Sequence, residues 1–383
     1  MSAPPSRIPS TAGSPALAPV ATIGAVLLAR SPAAARAYQL VLDLQRRMVA
    51  AQEAVARGRG DEARFAEVTW QRDDGRHGGG NRWSIADTTT FDRASVNVSQ
   101  VHYDDEPGKR LGSATALSTI IHPRHPHAPS VHLHVSWTEM RDGHGTWRIM
   151  ADLNPALLDR PWLAVEAPLG GAFVAAARDR FAAAVRAAAG ATWADGVRQG
   201  DRYFDIPALG RARGVCHFYL EQYASTDAEA DAALAHAVAA AAIDTHAGLV
   251  ADALRTHGPA SADEDAAQRA YHTLYFFQVL TLDRGTTSGL LIHDQNDVGI
   301  LGSLPSRVDR RLLAAWRARV PAPVDQLVDV LLAALPVGEV VVVDEPSKQR
   351  LAHAVRTFYQ AHPAALDLQA RADVIPPTVA NHR

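Results

Sequence analysis

The stretch IHPRHPHAPSVHLH, residues 121–134, decides how this chain folds. Its first half carries Pro123, Pro126 and Pro129, which break any regular element and mark a loop. From Ser130 to Trp137 the pattern alternates, and a period of two puts His132, His134 and Ser136 on one strand face and Val131, Leu133, Val135 and Trp137 on the other. Such a strand packs its apolar side under helices and turns its polar side to a cavity. Five of the 17 histidines lie between 122 and 134, so this cavity is also the place to look for chemistry.

Working outward, Ala94 to Tyr103 is a second clear strand, and short alternating runs continue from Trp70 to Trp147. Ser31 is a good N-cap with Pro32 at the first helical position. The helix it opens, running to about Ala56, places Tyr38, Leu40, Val41, Leu44, Met48 and Val49 on one stripe. An Ala-rich helix spans about Gly171 to Ala189. Arg213 to Tyr223 alternates again, so that His217, Tyr219 and Glu221 share a face. Thr226 with Glu229, and Ser261 with Glu264, read as capping boxes opening two further helices. A hairpin is expected next, with strands at Phe276–Leu282 and Gly289–His293 joined by the turn DRGTTS. Helices near 308–319, 324–335 and 346–361 close the chain, with a short strand at Val340–Val343. Strands between single helices, without a regular βαβ period, predict an α+β fold: a large, mainly antiparallel sheet flanked by helices on both faces. Residues 31–383 read as one domain and residues 1–30, rich in Pro, Ala and Ser, as a disordered tail. The apolar run Ala16–Ala29 is too short to span a bilayer.

The 383 residues are 47% hydrophobic and 21% charged, with a net charge of -3, a globular composition without the basic block that nucleic acid requires. Neither nucleic acid nor a membrane is an expected partner. A single cysteine, Cys216, excludes an internal disulfide and leaves the cytoplasm as the default. On the apolar face of its strand, Cys216 reads as a buried small residue.

The segment 121–134 resembles the signature of oxygen-dependent coproporphyrinogen III oxidases, His-Pro-x-Asn-Pro, then a second Pro and a strand bearing His-x-Asn. His122, Pro123, Pro126, Pro129 and His132 fall on this pattern, while His125 and His134 stand where the family has Asn. Trp70 and Arg72 before Gly78-Gly79-Gly80, the strand Asn97-Val98-Ser99-Gln100-Val101, Asp152-Leu153-Asn154-Pro155, Arg213-Gly214, Asp283-Arg284-Gly285-Thr286 and Ser303-Leu304-Pro305 are similar to family motifs in the same order. The resemblance implies a cytoplasmic homodimer with a flat antiparallel sheet between helices and an active site on the sheet face. It also implies oxidative decarboxylation of two propionates of a porphyrinogen to vinyl groups, with dioxygen as co-substrate and no metal or organic cofactor. His122 and His132 would then handle protons, Glu221 would act as base, and Tyr219 would donate to an oxygen intermediate or merely pack. Asn97, Ser99, Arg213, Asp283 and Arg284 would meet substrate, although Asp-Arg-Gly-Thr is also good turn chemistry.

The departures matter. The family's glycines and paired aspartates after Arg-Gly give way to Cys216-His217-Phe218-Tyr219-Leu220-Glu221-Gln222, and its glycine run before Asp152 has become Arg148-Ile149-Met150-Ala151. A tetracarboxylate needs several cationic anchors, because a buried unpaired carboxylate is costly. The chain therefore reads as a diverged oxidase that uses dioxygen on a carboxylate-bearing, electron-rich small molecule. If the two polar strand faces look into one cavity, His132, His134, His217 and Glu221 would suit Fe, Mn or Cu, as well as Ni or Zn, and give a metal-dependent oxygenase of specialised metabolism. The competing reading keeps His122 and His132 metal-free and His134 as a neutral replacement for Asn. A third reading is a non-catalytic relative that binds a tetrapyrrole.

Overall fold

A computed structural model of the chain describes residues 26–158, 171–370 and 378–382. Seven strands form the main sheet: β1 (Ala66–Gln71), β2 (Gly78–Ala86), β3 (Phe91–His102), β4 (Leu111–Pro123), β5 (Ser130–Met140), β6 (Gly145–Asn154) and β9 (Cys216–Tyr223). They pair antiparallel in the order β1-β2-β3-β4-β5-β6-β9. β7 (Asp205–Ile206) and β8 (Arg211–Ala212) form a short ladder of their own, as do β10 (Arg307–Asp309) and β11 (Val340–Val342).

The alternation read from the sequence sorts the two faces. Val131, Leu133 and Val135 are fully buried and join Val96, Val98, Leu117, Ile149 and Phe218 in one apolar cluster. Over it lie α1 (Pro32–Arg57), α2 (Gly171–Ala189) and α4 (Ala228–Thr256), with α3 (Trp193–Tyr203) against β9. The α1 stripe holds as expected, with Tyr38, Val41, Leu44, Met48 and Val49 buried and Ser31 accepting from the amides of Ala33 and Ala34. By length and composition α4 could cross a membrane, but its Ala235, Val238, Ala239, Ala242 and Ile243 are spent on this core.

The polar face is covered by the second half of the chain. There α5 (Ala262–Thr281), α6 (Arg284–Ile292), α7 (Asp297–Ile300), α8 (Arg310–Ala314), α9 (Val324–Ala334) and α10 (Glu345–Ala361) build a second apolar cluster, which Ile120 of β4 joins. The short helix α11 (Thr378–Asn381) lies against α6. The α+β expectation with helices on both faces is thus met.

Three local expectations need correction. The hairpin at Phe276–His293 is instead the end of α5 followed by α6. Every residue from Ala270 to Thr281 is buried, so the polar stripe that would betray a helical period is missing, and the β-branched and aromatic run imitates a strand. Asp283 is not a turn residue but the N-cap of α6, accepting from the Thr286 amide at 2.6 Å. The capping box at Ser261 and Glu264 is present, whereas α4 is capped by Asp227 rather than Thr226. Of the tail expected over 1–30, residues 1–25 lie outside the described residues. Residues 27–30 are tied down, with the Leu27 amide on the Gly75 carbonyl and the Ala29 amide on Gln100 Oε1 at 2.7 Å.

Gly79 and Gly80 let β1, β2 and β3 approach closely. A Cβ on Gly80 would sit 2.0 Å from the Val98 carbonyl oxygen and one on Gly79 2.4 Å from that of Trp70. Gly80→Ala is expected to destabilise the protein by about 3 kcal/mol or more, the upper range for single substitutions. Urea unfolding followed by circular dichroism checks this.

Candidate active site

The strand registers place the polar side chains in rungs across the sheet. One rung runs Trp70, Gly80, Ser99, Ala116, Ser136 and Arg148. The next runs Arg82, Asn97, Ser118, His134, Met150 and Tyr219, and the third runs Ser95, Ile120, His132, Asp152 and His217. Over these rungs the described residues enclose a cavity of about 170 Å³. Asn97, Ser99, Ser118, His132, His134, Arg148, Met150 and Tyr219 form its floor. Tyr203, Asp283, Thr286, His293 and Asn296 face them, and Trp70 and Arg72 line it as well.

Within this cavity several polar atoms have no hydrogen-bond partner among the described residues: Asn97 Oδ1, His132 Nδ1, His134 Nε2, Trp70 Nε1 and Arg72 Nε. Buried polar groups are ordinarily satisfied, so a cluster of orphans in one cavity marks a place for a bound molecule. Burial, followed by the nearby Arg213 charge, pulls His132 down to about 4, and burial with Arg148 holds His134 well below the usual imidazole range. Both are neutral at pH 7. The stacked phenols of Tyr203 and Tyr219, 4.4 Å apart, are pushed up by burial and stay protonated.

The expected site residues divide into two groups. Asn97, Ser99, His132, His134, Tyr219 and Asp283 do line the cavity. His122, by contrast, is fully buried beside it, its Nδ1 2.9 Å from Ser130 Oγ and its Nε2 3.2 Å from the Ser303 carbonyl. A carbonyl can only accept, so Nε2 carries the proton and Nδ1 accepts from Ser130. Arg213 is also buried and committed: it donates to Asp152, Asn154 and Gln278 and lies between the rings of Phe204 and Tyr275. Arg284 donates to the Leu366 carbonyl at 2.5 Å. None of these three is among the lining residues.

The set His132, His134, His217 and Glu221 does not converge. His132 and His217 share a rung but Asp152 stands between them, which separates their strands by roughly 9.6 Å. His217 turns its Nδ1 to Asp201 at 2.8 Å and its Nε2 to the Arg213 carbonyl. Glu221 is held by a bidentate pair with Arg148, at 2.6 and 3.1 Å, and accepts from the Tyr219 hydroxyl. Among the described residues, a group of potential metal ligands with donor atoms within 4.8 Å of one another is His77, Asp105 and Glu106, which lies outside the cavity lining. His77 is buried and also meets Asp73 at 2.6 Å. His125 and His127 bond the Gly258 carbonyl and Glu264 and are not among the lining residues. Cys216 is buried, which pushes its thiol up to about 12 and suits a packing role.

Arg148, Met150, Tyr203, His293 and Asn296 were not foreseen as lining residues. The first two were legible in principle, since β6 alternates in phase with β5. The others come from segments whose approach to the sheet no local pattern encodes.

Two outcomes are expected. Arg148→Met leaves Glu221 buried and unpaired and should cost about 3–5 kcal/mol, much of it recovered in the double variant with Glu221→Met. Urea midpoints test this. His132 has its folded value below the unfolded 6.5, so its contribution to stability is complete above pH 6.5 and is lost as pH falls from there toward about 4. In His132→Asn the stability profile should be flatter across that window.

The family model described as coproporphyrinogen III oxidase matches residues 36–332. Two curated relatives, named oxygen-dependent coproporphyrinogen-III oxidase and belonging to Prochlorococcus marinus strains NATL1A and NATL2A, are each similar to this chain. Each is 33% identical over 115 residues, which is 27% of this chain and 31% of the relative. The chain therefore aligns with about a third of the length of these curated relatives.

Proposed function

This chain belongs to the coproporphyrinogen III oxidase family, and from that premise we propose that it is an oxidoreductase using dioxygen to decarboxylate a carboxylate-bearing, electron-rich small molecule in the cavity on the sheet face. The observation that carries this reading is the convergence of Asn97, His132 and His134, each with a polar atom unpartnered among the described residues, on one cavity that Ser99 and Ser118 also line. In the reaction a propionate side chain loses its carboxylate as carbon dioxide, a double bond forms between the two remaining carbons, and dioxygen takes up two electrons and two protons as hydrogen peroxide. Asn97 would accept from a donor on the substrate, and His132, neutral and unpartnered at Nδ1, would accept the departing proton. His122 would hold the loop ahead of β5 rather than move protons.

The metal-dependent reading would have to rest on His132 and His134 with ligands from a substrate or water, since His217 and Glu221 are engaged elsewhere. A homodimer with a cytoplasmic location would accompany the oxidase reading.

The test is dioxygen uptake with hydrogen peroxide and carbon dioxide detection, using coproporphyrinogen III and single-ring pyrrole propionates, with and without added Fe, Mn or Cu. Turnover by the wild type, reduced about 10²-fold or more in His132→Asn, is the expected outcome. Tight binding without uptake for every candidate would replace this reading with a non-catalytic binding protein.

A further inference from the structure

The charges around the cavity are unequal in a way that bears on its ligand. Arg148 is neutralised by its bidentate pair with Glu221. Arg72 makes no such pair among the described residues, and Asp73 and Asp294 act on it only from a distance: its Nη1 donates to His293 Nδ1 at 2.6 Å, its Nε has no partner among the described residues, and it is only 7% exposed. Because a guanidinium can only donate, His293 accepts at Nδ1 and is neutral, held well below the usual imidazole range by burial and by Arg72 itself. Arg72 is therefore a buried cation facing a neutral partner, with its guanidinium carbon 5.4 Å from the Trp70 ring centre. Burying such a charge unpaired is costly, and an anion arriving in the cavity would relieve that cost.

The cavity also has a size. At about 170 Å³ it is well below the ~300–1,000 Å³ of sites for drug-sized ligands. Met150 and Arg148 occupy its floor. A second cavity of about 300 Å³ continues along the same sheet face past Ala114, Thr138 and Thr146, and Arg148 lines both, standing between them. The tail residues Ala380–His382 line that second space, and the Lys109 ammonium holds the His382 carbonyl at 2.9 Å.

We infer that the cavity takes a compact, flat aromatic acid with a single carboxylate, anchored by Arg72, and a ring N–H or hydroxyl donor received by Asn97 Oδ1. Trp70 and Tyr219 supply faces for the ring, and because Arg72 is the arginine of the cavity lining that makes no ion pair among the described residues, the number of carboxylates is set at one. A four-carboxylate macrocycle is larger than the space and outnumbers its anchors. This rests on the cavity being the reaction site and narrows the substrate class of the proposed function.

The experiment is calorimetric titration of the full chain with pyrrole-3-propionate, its uncharged amide and coproporphyrin III, repeated on Arg72→Gln. The acid should bind the wild type at least tenfold more tightly than the amide, coproporphyrin III should not displace it, and Arg72→Gln should abolish the preference for the acid. If that variant does not fold, the acid-to-amide ratio on the wild type decides the matter alone. Equal binding of acid and amide, no binding of either, an undiminished preference in a folded Arg72→Gln, or displacement by coproporphyrin III would overturn the inference. Acid binding without dioxygen uptake would sink the oxidase reading and leave this one standing. Turnover of coproporphyrinogen III without binding of the small acid would do the reverse.

Discussion

The guanidinium of Arg213 joins the two halves of this molecule. It reaches from the chain just ahead of β9 to Asp152 and Asn154 on β6 and to Gln278 on α5, and it lies between Phe204 and Tyr275. Both Arg213 and Asp152 are fully buried, so the charge is bearable only because its donors meet fixed acceptors. The consequence is positional. With β6 clamped to α5, the segment from Asp283 through α7 has to cross the polar face of the sheet, which closes the cavity.

A second constraint follows from the sheet itself. Antiparallel pairing with a period of two commits one whole face to the cluster under α1, α2 and α4 and frees the other face for polar groups. Three consecutive rungs then hold nearly every floor residue of the cavity, so site and core are two sides of the same register. The close approach at Gly79 and Gly80 extends that register to β1 and brings Trp70 and Arg72 to the cavity.

The electrostatics of the cavity follow from burial more than from pairing. His132, His134 and His293 are all kept neutral, chiefly by the loss of water. Neutral imidazoles with free nitrogens, protonated phenols and the Arg72 guanidinium, which makes no ion pair among the described residues, make a site that binds by hydrogen bonds and a single charge. Around the cavity, the acidic residues are largely spent on structure: Glu221 on Arg148, and Asp283 on the first turn of α6, where it also accepts from Tyr203.

The sequence by itself determined the period-two strands, the amphipathic α1 with its Ser31 cap, the α+β class, and the polar face carrying His132 and His134, because alternation and capping are local and leave their mark residue by residue. It misled at Phe276–His293, where a helix buried on all sides has no polar stripe and resembles a strand. Only the tertiary structure decided that Arg213, Arg284 and His122 are bound into the scaffold, that His217 and Glu221 turn away from His132, and that Arg72 meets His293 rather than an ion pair among the described residues. Those outcomes depend on which acceptors arrive from segments tens to hundreds of residues away, and the sheet register and the packing of α5 and α6 bring them there.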